Sequence, residues 1–317
     1  MTRRTGTGDT PRRPAITDEP STVAEAIGTC ARRLERGKVY FGHGTDNARD
    51  EAAALVFHAM GLNHDDAQRA YKLPVPHSDL AKIDALLDAR LRTRQPLPYL
   101  THEAWFAGLP FYVDDRVLVP RSPFAELIAA RFEPWLDPER VHRILEIGTG
   151  SGCIAIALAR AFPACQVVAT DISADALAVA AMNVRRHGVE AQVSLIETDL
   201  YPATGHGAPF DLIVSNPPYV PEGDVETFPP EYLHEPRLAL VSGDDGMETP
   251  ARILHHAAPF LTARGWLALE VGAGASRLEQ RFPTLPFIWP ELLAGGDGVA
   301  LVSAAELAML DRDPGAR

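Results

Sequence analysis

The chain has 317 residues, 46% of them hydrophobic and 23% charged, enough for a real core and for two domains. Its formal net charge of -12 counts against a protein that grips nucleic acid through phosphates, which needs a basic surface, and favours a small-molecule or basic protein substrate. No apolar run approaches the ~20 residues of a membrane span. The arginines near the N-terminus are not followed by the apolar stretch of a secretory signal, and Cys30, Cys153 and Cys165 are too scattered for a disulfide framework or a zinc site, which fits a reducing cytosol.

Residues 1–20 are rich in Thr, Arg, Pro, Gly and Asp and read as a disordered tail. From Thr22 to about Leu100 the pattern is helical, with helical spacing over 50–60 and Ser78 as the expected cap of 79–87. This defines a helical domain at 21–101. Residues 105–113 and 117–119 read as two strands around Asp114-Asp115, a β-hairpin linker at 102–121. Ser122 as cap and Pro123 at the first helical position open a helix to Phe132.

Beyond Val141 strands and helices alternate. Strands are expected at 144–147, 166–170, 193–197, 210–215 and 266–271, and helices at 154–162, from Ser173 to His187, and at 252–261. This rhythm predicts an α/β fold, a parallel sheet covered by helices. Residues 287–289 and 299–302 read as a closing antiparallel pair joined through Gly295-Gly296-Asp297-Gly298. A parallel sheet that ends this way is the Rossmann-like class I methyltransferase variant. The methyltransferase domain spans 122–304, and 305–317 reads as a C-terminal tail.

Glu146-Ile147-Gly148-Thr149-Gly150-Ser151-Gly152 lies between a strand and a helix. Glycines there let the backbone turn sharply and approach a ligand. The spacing is GxGxG rather than the dinucleotide GxGxxG, and the acid two residues before the first glycine would repel a pyrophosphate. The same acid suits the amino group of a methionine moiety, so S-adenosylmethionine is the expected cofactor. Asp171, at the end of the second strand, is placed to accept both ribose hydroxyls, and Asp199-Leu200 is placed near the adenine. For Asp199 alone a loop or capping acid is the plain competitor, and Cys153 is a core residue.

Asn216-Pro217-Pro218-Tyr219 follows the fourth strand, where ligands of such sheets bind. The two prolines stiffen the chain. An amide nitrogen is a poor nucleophile, because its lone pair is delocalised. The Asn216 side-chain oxygen and the Pro217 carbonyl can each accept one N–H of a planar NH2 group and stabilise the charge that develops on nitrogen. Tyr219 can pack on the flat group. His234-Glu235-Pro236 is placed to help enclose a substrate, though an ordinary loop competes with that reading. His255-His256 are neighbours on a helix and do not share a face, so no metal site is expected.

With residues 146–152 and 216–219 together, the chain resembles the HemK-like protein-glutamine N(5)-methyltransferases from about Val23 to Ser303. Within them it is similar to the PrmB branch, which acts on large-subunit ribosomal protein L-three. The branch-like stretches are 40–47, 117–123 and 295–299; Ser122 and Pro123 stand where the release-factor branch has proline and aspartate. The resemblance implies seven strands, the last antiparallel, and a helical domain joined by a hairpin. It also implies cofactor contacts from Gly148, Thr149, Gly150, Ser151, Gly152, Asp171 and Leu200, with Asn216, Pro217, Pro218 and Tyr219 holding a glutamine amide. Two alternatives stay open: the GGQ glutamine of a peptide chain release factor, and N(6)-adenine methylation of nucleic acid, which the net charge disfavours.

Overall fold

The computed structural model describes residues 21–63, 67–203, 207–293 and 298–310; the expected tail at 1–20 and the turn residues 295–297 lie outside them. The chain forms two compact units, one from residues up to Lys38 with Ala48–Asp88, the other from Val39–Asn47 with residues from Ala89 onward. Among the described residues no helix is long and apolar enough to cross a membrane.

The first unit holds α1 (Val23–Arg36), α2 (Ala48–Met60), α3 (Ala67–Ala70) and most of α4 (His77–Thr93). α1 starts where it does because Thr22 and Glu25 form a capping box, each side chain accepting the other's backbone N–H. Its buried Ala26, Ile27, Cys30 and Leu34 recur at helical spacing, and α2 buries Ala52, Leu55 and Val56. α4 begins at His77, one residue before Ser78, so Ser78 is not its cap; the Pro76 carbonyl accepts the N–H groups of Asp79 and Leu80 instead.

In the second unit α5 (Leu97–Thr101) leads into a hairpin of β1 (Ala104–Phe106) and β2 (Leu109–Phe111). This corrects the expected strands. The chain reverses at Ala107-Gly108, both with positive φ, a two-residue turn that Gly108 favours. Residues 117–119 form no strand, although Val117 and Val119 are buried. α6 (Phe124–Ala129) stops short of the expected Phe132 because Arg131 and Phe132 adopt left-handed backbone.

The sheet comprises β3 (Arg143–Ile147), β4 (Gln166–Asp171), β5 (Val193–Glu197), β6 (Phe210–Ser215), β7 (Leu261–Glu270) and β8 (Val299–Ser303). Their order is β5-β4-β3-β6-β7-β8, all parallel except β8, which runs antiparallel to β7. Between them lie α7 (Cys153–Ala161), α8 (Ala174–His187), α9 (Glu248–Ala257) and α10 (Ala275–Arg281), and α11 (Ala304–Leu310) follows β8. Both faces are covered. Ile144 and Leu212 join one core with Ile154 and Leu158 of α7, while Leu145, Ile147 and Ile213 join another with Ile253 and Leu254 of α9. Burial on both sides explains why these strands read as continuous apolar runs.

Among the described residues the sheet has six strands rather than seven. The expected strand at 287–289 is reduced to one bridge, in which Ile288 and Leu301 exchange both backbone hydrogen bonds at 3.0 and 2.8 Å. Pro286 and Pro290 flank it and have no N–H to extend a ladder. Residues 305–310, read as tail, belong to the helix α11. Ser303 Oγ accepts the Glu306 N–H, Glu306 Oε2 accepts the Ser303 N–H, and Leu307 and Leu310 are buried. That Ser-x-x-Glu box was present in the sequence and overlooked. Ser303→Ala is expected to lower unfolding free energy by about 1 kcal/mol, measured by urea denaturation, without changing cofactor affinity.

Candidate functional site

β3 has β4 on one side and β6 on the other, so connections from its carboxyl end diverge and leave a crevice. An open cavity occupies this point, lined by residues 146–151, Asp171, Asp199, Leu200 and residues 216–218. The segment 116–122 forms part of the wall.

The glycine loop is built for this place. Gly148, Gly150 and Gly152 all have positive φ, which side chains resist. A Cβ on Gly152 would also meet the Ala180 Cβ at 3.2 Å, so α8 packs against the loop only because that atom is missing. The Gly148 and Thr149 N–H groups both donate to the Thr170 carbonyl at 2.9 Å, tying the loop to β4. Asn183 of α8, fully buried, donates to the Ser151 carbonyl at 2.8 Å and exchanges hydrogen bonds with the Tyr112 backbone. Sequence reasoning missed Asn183; the signal was a polar residue on the otherwise apolar stripe of Ala176, Val179, Ala180 and Val184.

Glu146 is buried at the cavity floor and accepts the Thr149 hydroxyl at 2.5 Å. Burial pushes its carboxyl up to about 8 against those hydrogen bonds. Asp171 accepts the Gly150 N–H and the Ser173 N–H, both at 2.9 Å, and burial raises it too. Each carboxylate oxygen of Asp171 thus keeps a lone pair for another donor. Leu200 is held at φ +68, rare for a side-chain-bearing residue, and its carbonyl accepts the Thr170 hydroxyl at 2.7 Å. Asp199 turns to the surface and pairs with Arg252 at 2.6 Å, a partner the sequence did not suggest.

This donor set fits S-adenosylmethionine. Glu146 would take the ammonium, Asp171 the ribose hydroxyls, and the glycine backbone lets the ligand come close.

The structure brings Asn216, Pro217 and Pro218 to the cavity, with Pro217 buried. Tyr219 is not part of the cavity wall. Its ring lies against Gly272, and its hydroxyl donates to Glu270 Oε1 at 3.2 Å. The loop that follows is anchored by a second buried acid. Glu235 accepts from Arg121 through both oxygens at 2.6 and 2.7 Å and from the Val119 N–H, and His43 Nε2 lies 3.4 Å away. Burial pushes Glu235 up, but the bonds from His43 and Arg121 outweigh it and hold the group at about 2. His234 instead contacts the Thr93 carbonyl at 3.0 Å. His255 is half-buried against Phe282 and His256 is exposed; no metal-holding cluster occurs among the described residues.

Glu146 gives a pH test. Between its usual 4.5 and about 8, the unfolded chain has released a proton that the folded chain keeps, so folding stability falls as pH rises through that window. A cationic ligand needs the ionised form, so cofactor affinity is expected to climb over the same window. Glu146→Gln should flatten both slopes and weaken binding, measured by calorimetry and thermal melts from pH 5 to about 9. Unchanged slopes in the variant would reject the role given to Glu146.

The methyltransferase small domain matches residues 129–235. The ribosomal protein uL3 glutamine methyltransferase of Neisseria meningitidis serogroup B is 42% identical over 289 residues, covering 91% of this chain and 94% of its own length. The Bordetella pertussis protein of the same name is 42% identical over 290 residues, covering 91% and 97%. Among solved structures, the hMettl16 catalytic domain in complex with an MAT2A 3'UTR hairpin superposes with a TM-score of 0.50 at 14% identity, covering 74% of this chain and 85% of that one. That likeness speaks to the fold alone. Identity at the level of the two curated relatives, over nine-tenths of each partner, is a family relationship, and this chain belongs to the ribosomal protein uL3 glutamine methyltransferases.

Proposed function

We propose that this protein transfers the methyl group of S-adenosylmethionine to the side-chain amide nitrogen of a glutamine in ribosomal protein uL3, the large-subunit protein L-three. The observation that carries the reading is that residues 216–218 share one cavity with the glycine loop and Asp171. The names of the relatives support uL3 as the substrate.

Bound in that cavity, S-adenosylmethionine supplies an electrophilic methyl group on a cationic sulfur. The residues of the chain do the remainder. Glu146 and Asp171 fix the ends of the ligand. The Asn216 side-chain oxygen and the Pro217 carbonyl each accept one N–H of the glutamine amide, which directs its lone pair at the methyl carbon. Transfer would form the nitrogen–methyl bond as the sulfur–methyl bond breaks, sulfur leaving as a neutral thioether, and the charge that grows on nitrogen would be stabilised by these two acceptors. The proton leaves afterwards, so no strong base is required. The helical region at 21–101 is assigned to recognition of the protein substrate. The cytoplasm is the assigned compartment, in keeping with three buried cysteines that form no disulfide.

Purified protein, labelled cofactor and unmodified uL3 should yield label on one glutamine by peptide mass spectrometry. Label on a release factor or on nucleic acid, with none on uL3, would overturn the reading. Asn216→Ala should lower kcat on the order of 10²–10³-fold with cofactor affinity retained; an unchanged rate would reject the role of Asn216.

A further inference from the structure

Glu270 ends β7 and is 3% exposed, an acid at the carboxyl end of a buried strand. Its two oxygens bond two segments that meet at the site. Oε2 accepts the Ser122 hydroxyl at 2.5 Å, and Ser122 lines the cavity. Oε1 accepts the Tyr219 hydroxyl at 3.2 Å, and Tyr219 directly follows residues 216–218. The Ser122 oxygen also accepts the Phe124 N–H at 3.2 Å, so its proton is directed toward Glu270.

The surroundings leave Tyr219 little freedom. A Cβ on Gly272 would stand 2.8 Å from its ring, and one on Gly246 would stand 2.2 Å from its carbonyl. Both glycines have positive φ. A Cβ on Gly298 would in turn overlap the Gly272 backbone. Tyr219 therefore sits in a slot made by the absence of side chains, with its hydroxyl held at the far end.

We propose that Glu270 is a positioning residue for methyl transfer: by accepting the hydroxyls of Ser122 and Tyr219 together, it holds the 116–122 wall and residues 216–218 at the spacing the amide requires. It touches neither substrate nor cofactor and acts through Tyr219. The inference rests on the function proposed above. Burial pushes the Glu270 carboxyl up to about 7 against the bonds from Ser122 and Tyr219, a cost that apolar packing at this position would not carry.

The test uses the full chain with uL3 and labelled cofactor. Glu270→Ala should lower kcat on the order of 10²-fold, the scale of an ångström-level misplacement, with cofactor affinity little changed. Glu270→Gln keeps an acceptor and a donor and should recover most of the rate. Tyr219→Phe should lower kcat similarly, and the Tyr219→Phe, Glu270→Ala double variant should be no slower than the worse single variant, because both remove one link. Additive losses, a full rate in Glu270→Ala, or no recovery in Glu270→Gln would each overturn the proposal. If Glu270→Ala fails to fold, Ser122→Ala and Tyr219→Phe carry the test, and both must lower kcat. Hydrogen exchange at the Tyr219 and Val220 amides separates this inference from the functional one. It should speed up in Glu270→Ala and not in Glu270→Gln whichever substrate the wild type methylates. Unchanged exchange overturns the positioning role, whereas wild-type protein inactive on uL3 overturns only the substrate assignment.

Discussion

The parallel pairing of β3 with both β4 and β6 is the constraint on which the site depends. Register places Glu146 beside Ala169 and Val214, and Ile147 beside Thr170 and Ser215, so the three strands end level with one another. The chains leaving β3, β4 and β6 then emerge side by side as the glycine loop, Asp171 and residues 216–219. Hydrogen bonds between strand ends lock the level. Thr170 Oγ1 donates to the Glu146 and Leu200 carbonyls, and Ser215 Oγ donates to the Ile147 carbonyl at 2.8 Å. A slip of one residue would turn the apolar set of each strand to the wrong face.

Around this frame the protein spends buried carboxylates. Glu146, Glu235 and Glu270 are all nearly inaccessible, and each accepts hydrogen bonds from cavity or loop residues. Their environments push them in opposite directions. Glu235 faces a guanidinium and stays ionised, whereas Glu146 and Glu270 face only neutral donors at contact distance and are raised. The paired acid holds structure at all ordinary pH. Glu146 lies at the cavity where a cation is expected, and Glu270 lies behind it, bonded to Ser122 and Tyr219. Buried ion pairs contribute little net stability compared with apolar packing, so their retention here is understood through geometry.

The segment 116–122 shows how irregular chain serves function. Residues 117–119 were expected to be half of a hairpin, yet the segment forms no strand and lines the cavity, with Val119 N–H bonded to Glu235, Arg121 paired with the same carboxylate and Ser122 bonded to Glu270. The Glu235 carboxylate, from a distant loop, satisfies the Val119 N–H in place of a strand partner. Val119 and Arg121 are thereby tied to one anchor, Glu235, and Ser122 to a second, Glu270.

Much of this was legible in the amino-acid order alone. The runs at 144–147, 193–197 and 210–215 match β3, β5 and β6 within a residue; for β3 and β6, buried on both faces, the apolar signal is nearly unbroken. The glycine loop, Asp171 and residues 216–218 were readable as one site because their offsets from strand ends are short and local. Tertiary structure decided the rest. The hairpin turn at Ala107-Gly108, the loss of a seventh strand between Pro286 and Pro290, and the helix after Ser303 depended on local cues that stronger patterns masked. Asn183 and Glu270 had no motif, and Glu235 was legible only as part of a loop placed to enclose a substrate, because their meaning lies in partners 32 to 148 residues away in sequence. Only folding brings a lone polar residue in an apolar run to the group it serves, and no periodicity records that distance.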